Sequence, residues 1–114
     1  MVRVRPVTDK LLEEMTQAIV QEVAPERIIL FGSCGRGNAE PGSDVDLIVV
    51  QSEPFDASRS RRRETARIRR ALWPFRVPTD ILVYSVSEMA KWRNSLNHVL
   101  ARGLREGRLL YARS

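Results

Sequence analysis

The sequence predicts an α/β domain, a small mixed sheet of three or four strands with helices packed on one face. Three observations carry that expectation. Two short apolar runs rich in β-branched residues, Arg27–Phe31 and residues 47–50, are each bounded by turn signals, as buried strands are. A third such run, residues 80–84, follows Pro78. Segments with helical spacing precede, separate and follow these runs.

Taken in order, residues 8–23 place Leu11, Leu12, Met15, Ile19, Val20 and Val23 on one helical stripe, with Thr8 or Asp9 as N-cap and Pro25 closing the segment. The first strand then leads into a polar loop carrying Gly35, Gly37 and Gly42, with a short helical turn expected near Ser33. Pro41, Gly42 and Ser43 close the loop, and Pro54 ends the second strand. Residues 56–72 read as a surface helix crossing over to the third strand. It carries Arg59, Arg61, Arg62, Arg63, Arg67, Arg69 and Arg70, with Ile68, Ala71 and Leu72 as a narrow apolar edge. Trp73 and Pro74 break it. Ser85 and Glu88 have capping-box spacing for a last helix, whose stripe is Met89, Trp92, Leu96, Val99 and Leu100, with Gly103 near its end. Residues 108–111 make a short tail strand or extended segment.

Size and composition set limits. The 114 residues suit a single domain, 1–114, and a content of 43% hydrophobic and 29% charged residues is ordinary for a globular protein. No apolar run approaches a membrane span, and the N-terminal residues lack the apolar stretch of a secretory signal. One cysteine forms no internal disulfide and no zinc framework. A cytoplasmic protein without membrane contact is the expectation. The net charge of +5 rests on 17 Arg against 2 Lys. The basic segment from Arg59 to Arg70 could meet phosphate, RNA or an acidic partner. Charge runs are usually solvated faces, and no aromatic residue is interleaved to stack bases, so nucleic acid is not expected as a direct ligand.

The chemistry gathers between residues 32 and 50. Gly32 and Ser33 follow the first strand and offer backbone N–H groups and a hydroxyl, a cradle suited to polyphosphate. Ten residues later Asp44 and Asp46 enter the second strand. Strand side chains alternate, so these two carboxylates share one face while Val45 and Leu47 take the other. Paired carboxylates entering an apolar strand repel each other and lose hydration unless a cation holds them. A hard ion such as Mg²⁺ takes oxygen ligands and keeps positions open for phosphates. The residues by themselves thus point to a metal with a phosphate.

Gly32-Ser33, Arg36-Gly37, then Ser43-Asp44-Val45-Asp46-Leu47, with Asp80 opening a later strand, resembles the DNA polymerase β-like nucleotidyltransferase superfamily, and within it the small MNT type. These motifs cover about a quarter of the chain. The resemblance implies the polymerase β-like fold and a nucleotidyl transfer, most simply of AMP from ATP. It implies that Asp44, Asp46 and Asp80 are the catalytic and metal-binding triad, with two Mg²⁺ ions as cofactors. It also implies that Gly32, Ser33, Arg36 and Ser43 bind the nucleotide. One departure stands out: Cys34 and Gly35 follow Gly-Ser where relatives often have Arg, which leaves Arg36 as the loop's cation.

Larger relatives carry extra domains to hold their acceptors, so here a partner chain is expected to present the hydroxyl. MNT-type members are similar in this respect. They often act as antitoxins by adenylylating a tyrosine of a small helical HEPN-type toxin, which implies such a partner here, in a homo- or hetero-oligomer. Two other readings stay open: a subunit that binds nucleotide or occludes its partner without catalysis, and a nucleic-acid binder using the basic segment.

Overall fold

The computed structural model describes residues 8–31, 45–92 and 107–113. Four strands form one sheet in the order β3-β2-β1-β4: β1 (Arg27–Phe31), β2 (Val45–Gln51), β3 (Thr79–Ser85) and β4 (Arg108–Ala112). β1 runs antiparallel to β2 and to β4, whereas β2 and β3 are parallel. The sheet is mixed, as expected, and the tail segment is a true strand. The helices are α1 (Asp9–Val23), α2 (Arg61–Leu72) and α3 (Val86–Trp92), with a 3₁₀ turn, Trp73–Phe75, after α2.

Each element follows from local chemistry. Thr8 caps α1, its hydroxyl accepting from the Leu11 N–H at 3.1 Å, and the helix ends where Ala24 turns left-handed ahead of Pro25. α2 starts later than its sequence suggests. Asp56 accepts from the Ser58 N–H and hydroxyl, and the Asp56 and Arg59 backbones bond to each other, so this stretch is a tight turn. Ser60 then caps the helix through the Arg63 N–H. The break at Trp73 and Pro74 is gradual, one 3₁₀ turn before the chain leaves. β2 stops at Gln51, ahead of Pro54. α3 opens with a reciprocal capping box: the Ser85 N–H donates to Glu88 at 3.0 Å, and the Glu88 N–H donates to the Ser85 hydroxyl at 3.2 Å. The Trp92 side chain and the stripe positions Leu96, Val99 and Leu100 lie outside the described residues.

Strand alternation divides the sheet. One face, with Ile28, Leu30, Val45, Leu47, Val49, Ile81 and Val83, packs on Leu11, Leu12, Met15 and Ile19 of α1 and on Ile68 and Leu72 of α2. Burying each such aliphatic side chain contributes roughly 1.5–3 kcal/mol. The other face holds a smaller cluster of Ile29, Ile48 and Val50, covered by Met89 of α3, with Phe31, Leu82 and Tyr84 against it. α1 and α2 thus share one face, as expected, while α3 lies on the other. Among the described residues no helix is long and apolar enough to cross a membrane.

Buried Gln51 joins three elements. Its amide donates to Glu64 of α2 at 3.0 Å and to the Val23 carbonyl at the end of α1 at 3.4 Å. Ile68, fully buried between α1, α2 and the sheet, is the centre of the larger cluster. Ile68→Ala should lower stability by about 2–5 kcal/mol. Urea unfolding would register this as a lower midpoint with an unchanged slope.

Candidate active site

The smaller face has an apolar half and a polar end. Met89 fills the apolar half. At the polar end the pairing of the three strands aligns Phe31, Asp46 and Asp80 in one row, since Phe31 is the register partner of Asp46 and Asp46 that of Asp80. Neighbouring strands lie about 4.8 Å apart, so the two carboxylates stand side by side on one face. A hydrogen bond from the Val45 N–H to the Pro78 carbonyl, 2.9 Å, fixes this register at the strand starts. Asp46 is half-buried and Asp80 is exposed.

Thirty-four residues apart in sequence, Asp46 and Asp80 become direct neighbours. The structure brings them together at the starts of a central strand and an edge strand. Phe31, the last residue of β1, ends the row and immediately precedes Gly32 and Ser33 in sequence. Gly32, Ser33, Arg36, Ser43 and Asp44, together with Cys34, lie outside the described residues. Among the described residues no third His, Cys, Asp or Glu joins the pair in a group able to hold a metal ion. The pair itself suits a hard cation. It offers oxygen donors of like charge directly opposite each other, an arrangement that disfavours folding unless positive charge is supplied.

The basic segment serves the scaffold more than the sequence suggests. Arg61 pairs with Glu88 of α3 and lies over the rings of Phe55 and Tyr84, 5.1 and 5.5 Å from their centroids. Arg67 reaches Glu22 of α1, and Arg69 donates to the Thr79 carbonyl at the start of β3. Arg59 lies over Phe55 and pairs with Glu53. Arg62, Arg63 and Arg70 are exposed. No sequence spacing marks the Arg61–Glu88 contact, because its partners come from separate helices on opposite faces of the sheet.

That contact clasps the end of β3, the strand that carries Asp80. Burial of Glu88 works to raise its carboxyl pKa. The Ser85 N–H, the Arg61 hydrogen bond and charge, and the Ser85 hydroxyl together outweigh it and hold the group below its ordinary value of 4.5. A depressed folded value means that Glu88 stabilises in full above its unfolded pKa and loses that contribution as pH falls through the folded one. Urea unfolding should therefore show the wild type more stable than Glu88→Gln at neutral pH, with the gap closing below about pH 4.

The family model for the nucleotidyltransferase domain matches residues 10–104. Among curated proteins none matches the chain significantly. Solved structures share the fold, three of them as follows. One, from Sulfolobus solfataricus and assigned as a nucleotidyltransferase, has 19% identity and a TM-score of 0.64, covering 91% of this chain and 79% of that one. The second, a toxin–antitoxin structure with AMP-PNP, has 21% identity and a TM-score of 0.54, covering 90% and 74%. The third, a mutant of the toxin–antitoxin MntA-HpeT, has 19% identity and a TM-score of 0.52, with the same coverage.

Proposed function

The chain belongs to the nucleotidyltransferase domain family and is accordingly a transferase; from that premise we propose that it moves AMP from ATP to a hydroxyl presented by a partner chain. In this reading it is an MNT-type antitoxin, a single domain acting in the cytoplasm, and the acceptor is a tyrosine of a HEPN-type partner. The observation that carries the reading is the register pairing of Asp46 with Asp80 on a domain of this family. The similarity to two toxin–antitoxin structures, one of them with AMP-PNP, supports the donor and the partner class.

Catalysis of this kind is positioning and charge stabilisation. The acceptor oxygen attacks the α-phosphorus, an O–P bond forms in line with the breaking bond, and pyrophosphate leaves with the electron pair. Gly32 and Ser33 hold the β- and γ-phosphates by backbone N–H groups and a hydroxyl, with Ser43 at the far end of the same loop. Arg36 balances charge on the departing pyrophosphate. Asp80, exposed beside Asp46, takes the acceptor's proton. Mg²⁺, two ions in this reading, would be held by Asp44, Asp46 and Asp80 and would supply charge neutralisation at the attacking and leaving oxygens.

Incubation with labelled ATP, Mg²⁺ and the protein encoded beside it tests the reading, label on the partner being the expected result. Asp46→Asn and Asp80→Asn should each reduce transfer by orders of magnitude, about 10²- to 10⁴-fold for loss of the proton acceptor alone. ATP affinity measured by calorimetry should change much less in Asp80→Asn, since the phosphate contacts remain. ATP binding with no transfer by the wild type would instead assign a nucleotide-binding or occluding subunit.

A further inference from the structure

A cavity of about 450 Å³ lies against the start of β3, on the face of the sheet opposite the Asp46–Asp80 row. Leu72, Val77 and Ile81 give it an apolar lining, Arg69 and Arg76 give it charge, and Trp73 stands beside them. Among the described residues no acidic side chain lines it. Three features distinguish it from an ordinary surface dent.

First, Trp73 is 75% exposed, so a large apolar ring is held in water where the rest of the cavity could receive an apolar group. Second, the segment that presents this ring is rigid and unfavourable in itself. Pro74 follows Trp73, and Arg76 closes the 3₁₀ turn by donating to the Trp73 carbonyl at 3.1 Å while adopting φ 53° and ψ 42°. A non-glycine residue in the left-handed region is uncommon, and such residues gather at ligand clamps. Third, the cavity borders the start of the strand that carries Asp80, on the helix-covered face of the sheet. Pro78, also in its lining, accepts the Val45 hydrogen bond that sets the β2–β3 register, and Asp80 follows Thr79 directly. β3 is the terminal strand of the sheet among the described residues, so a chain seated in the cavity can cross this edge to the face that carries Asp80.

We propose that this cavity docks the acceptor segment of the partner protein, an acidic stretch that seats an apolar side chain against Trp73 and presents its hydroxyl to Asp80. The proposal rests on the nucleotidyl-transfer reading and names how that reaction recognises its acceptor. Charge decides the composition: Arg69 and Arg76 line the cavity, with no carboxylate among the described lining residues to offset them. The aliphatic lining decides for a polypeptide over a nucleic acid. Leu72, Val77 and Ile81 suit a branched or aromatic side chain, whereas a single indole offers only one platform for stacking bases.

The test uses the full chain, labelled with ¹⁵N, and three probes: a synthetic peptide of Asp and Glu around one Leu and one Tyr, the same peptide with Lys at every acidic position, and an oligouridylate. The acidic peptide should shift the Trp73 indole resonance and the amides of residues 77–81. Trp73→Ala should weaken that binding about tenfold, the scale of a hot-spot truncation. Arg76→Asn should do the same, because Asn removes the charge while tolerating the left-handed backbone. An undisturbed spectrum elsewhere shows that both variants are folded. No shift with the acidic peptide, equal shifts with the lysine peptide, or the same resonances moved by the oligouridylate would each overturn the proposal. Calorimetry of the wild type with ATP and Mg²⁺ reads the premise separately: ATP binding without peptide docking discards the docking site and leaves the transfer reading standing, whereas absence of ATP binding removes that reading.

Discussion

The parallel register between β2 and β3 is the constraint on which the rest depends. Asp46 and Asp80 belong to segments joined by a long crossover, whose length alone leaves open which residue of one strand faces which of the other. The hydrogen bond from Val45 to Pro78 and the core pairs Leu47–Ile81 and Val49–Val83 decide it. A slip of one residue would turn Ile81 and Val83 out of the larger core and send Asp80 into it. Burial of those side chains therefore holds two like charges together that would otherwise separate. Hydrophobic packing on one face of the sheet sets the geometry of the carboxylates on the other.

The two faces also divide the work. α1 and α2 make a continuous apolar layer, closed at one end by Gln51 and its bonds to Glu64 and Val23. Among the described residues Met89 covers the apolar half of the opposite face, and the other end holds the acidic row. Arg61 links the layers, since it starts α2 on one face and pairs with Glu88 of α3 on the other. The pair is partly exposed, and exposed ion pairs contribute at most about 1 kcal/mol. Its value is positional, because it fixes where α3 leaves β3.

Much of this was legible in the sequence, for identifiable reasons. The stripe from Leu11 to Ile19, the β-branched runs and the capping box at Ser85 are local patterns, and local patterns survive in the fold. α2 starts later than residues 56–72 suggest because Asp56 and Ser58 form a local turn that competes with the helix. The pairing of Asp46 with Asp80 followed from the family resemblance, since their wide separation leaves no spacing to read. Arg61, Arg67 and Arg69 read as a solvated charge run because their partners, Glu88, Glu22 and the Thr79 carbonyl, lie on other elements. Trp73 read only as a helix break, because its exposure depends on a turn whose left-handed residue, Arg76, carries no glycine signal.

The parallel pairing has a consequence for the order in which the chain acquires structure. β1 and β2 are antiparallel neighbours close in sequence, so they can associate early in folding. β3 reaches its place only after the crossover from Ser52 to Pro78 has been traversed, and closing that long loop costs entropy before any pairing compensates it. β4, from the far end of the sequence, completes the sheet on the other side of β1. A ribosome that has released only the first half of the chain has made Asp46 but not its neighbour. The acidic row is thus a property of the finished tertiary structure, assembled only when β3 docks on β2.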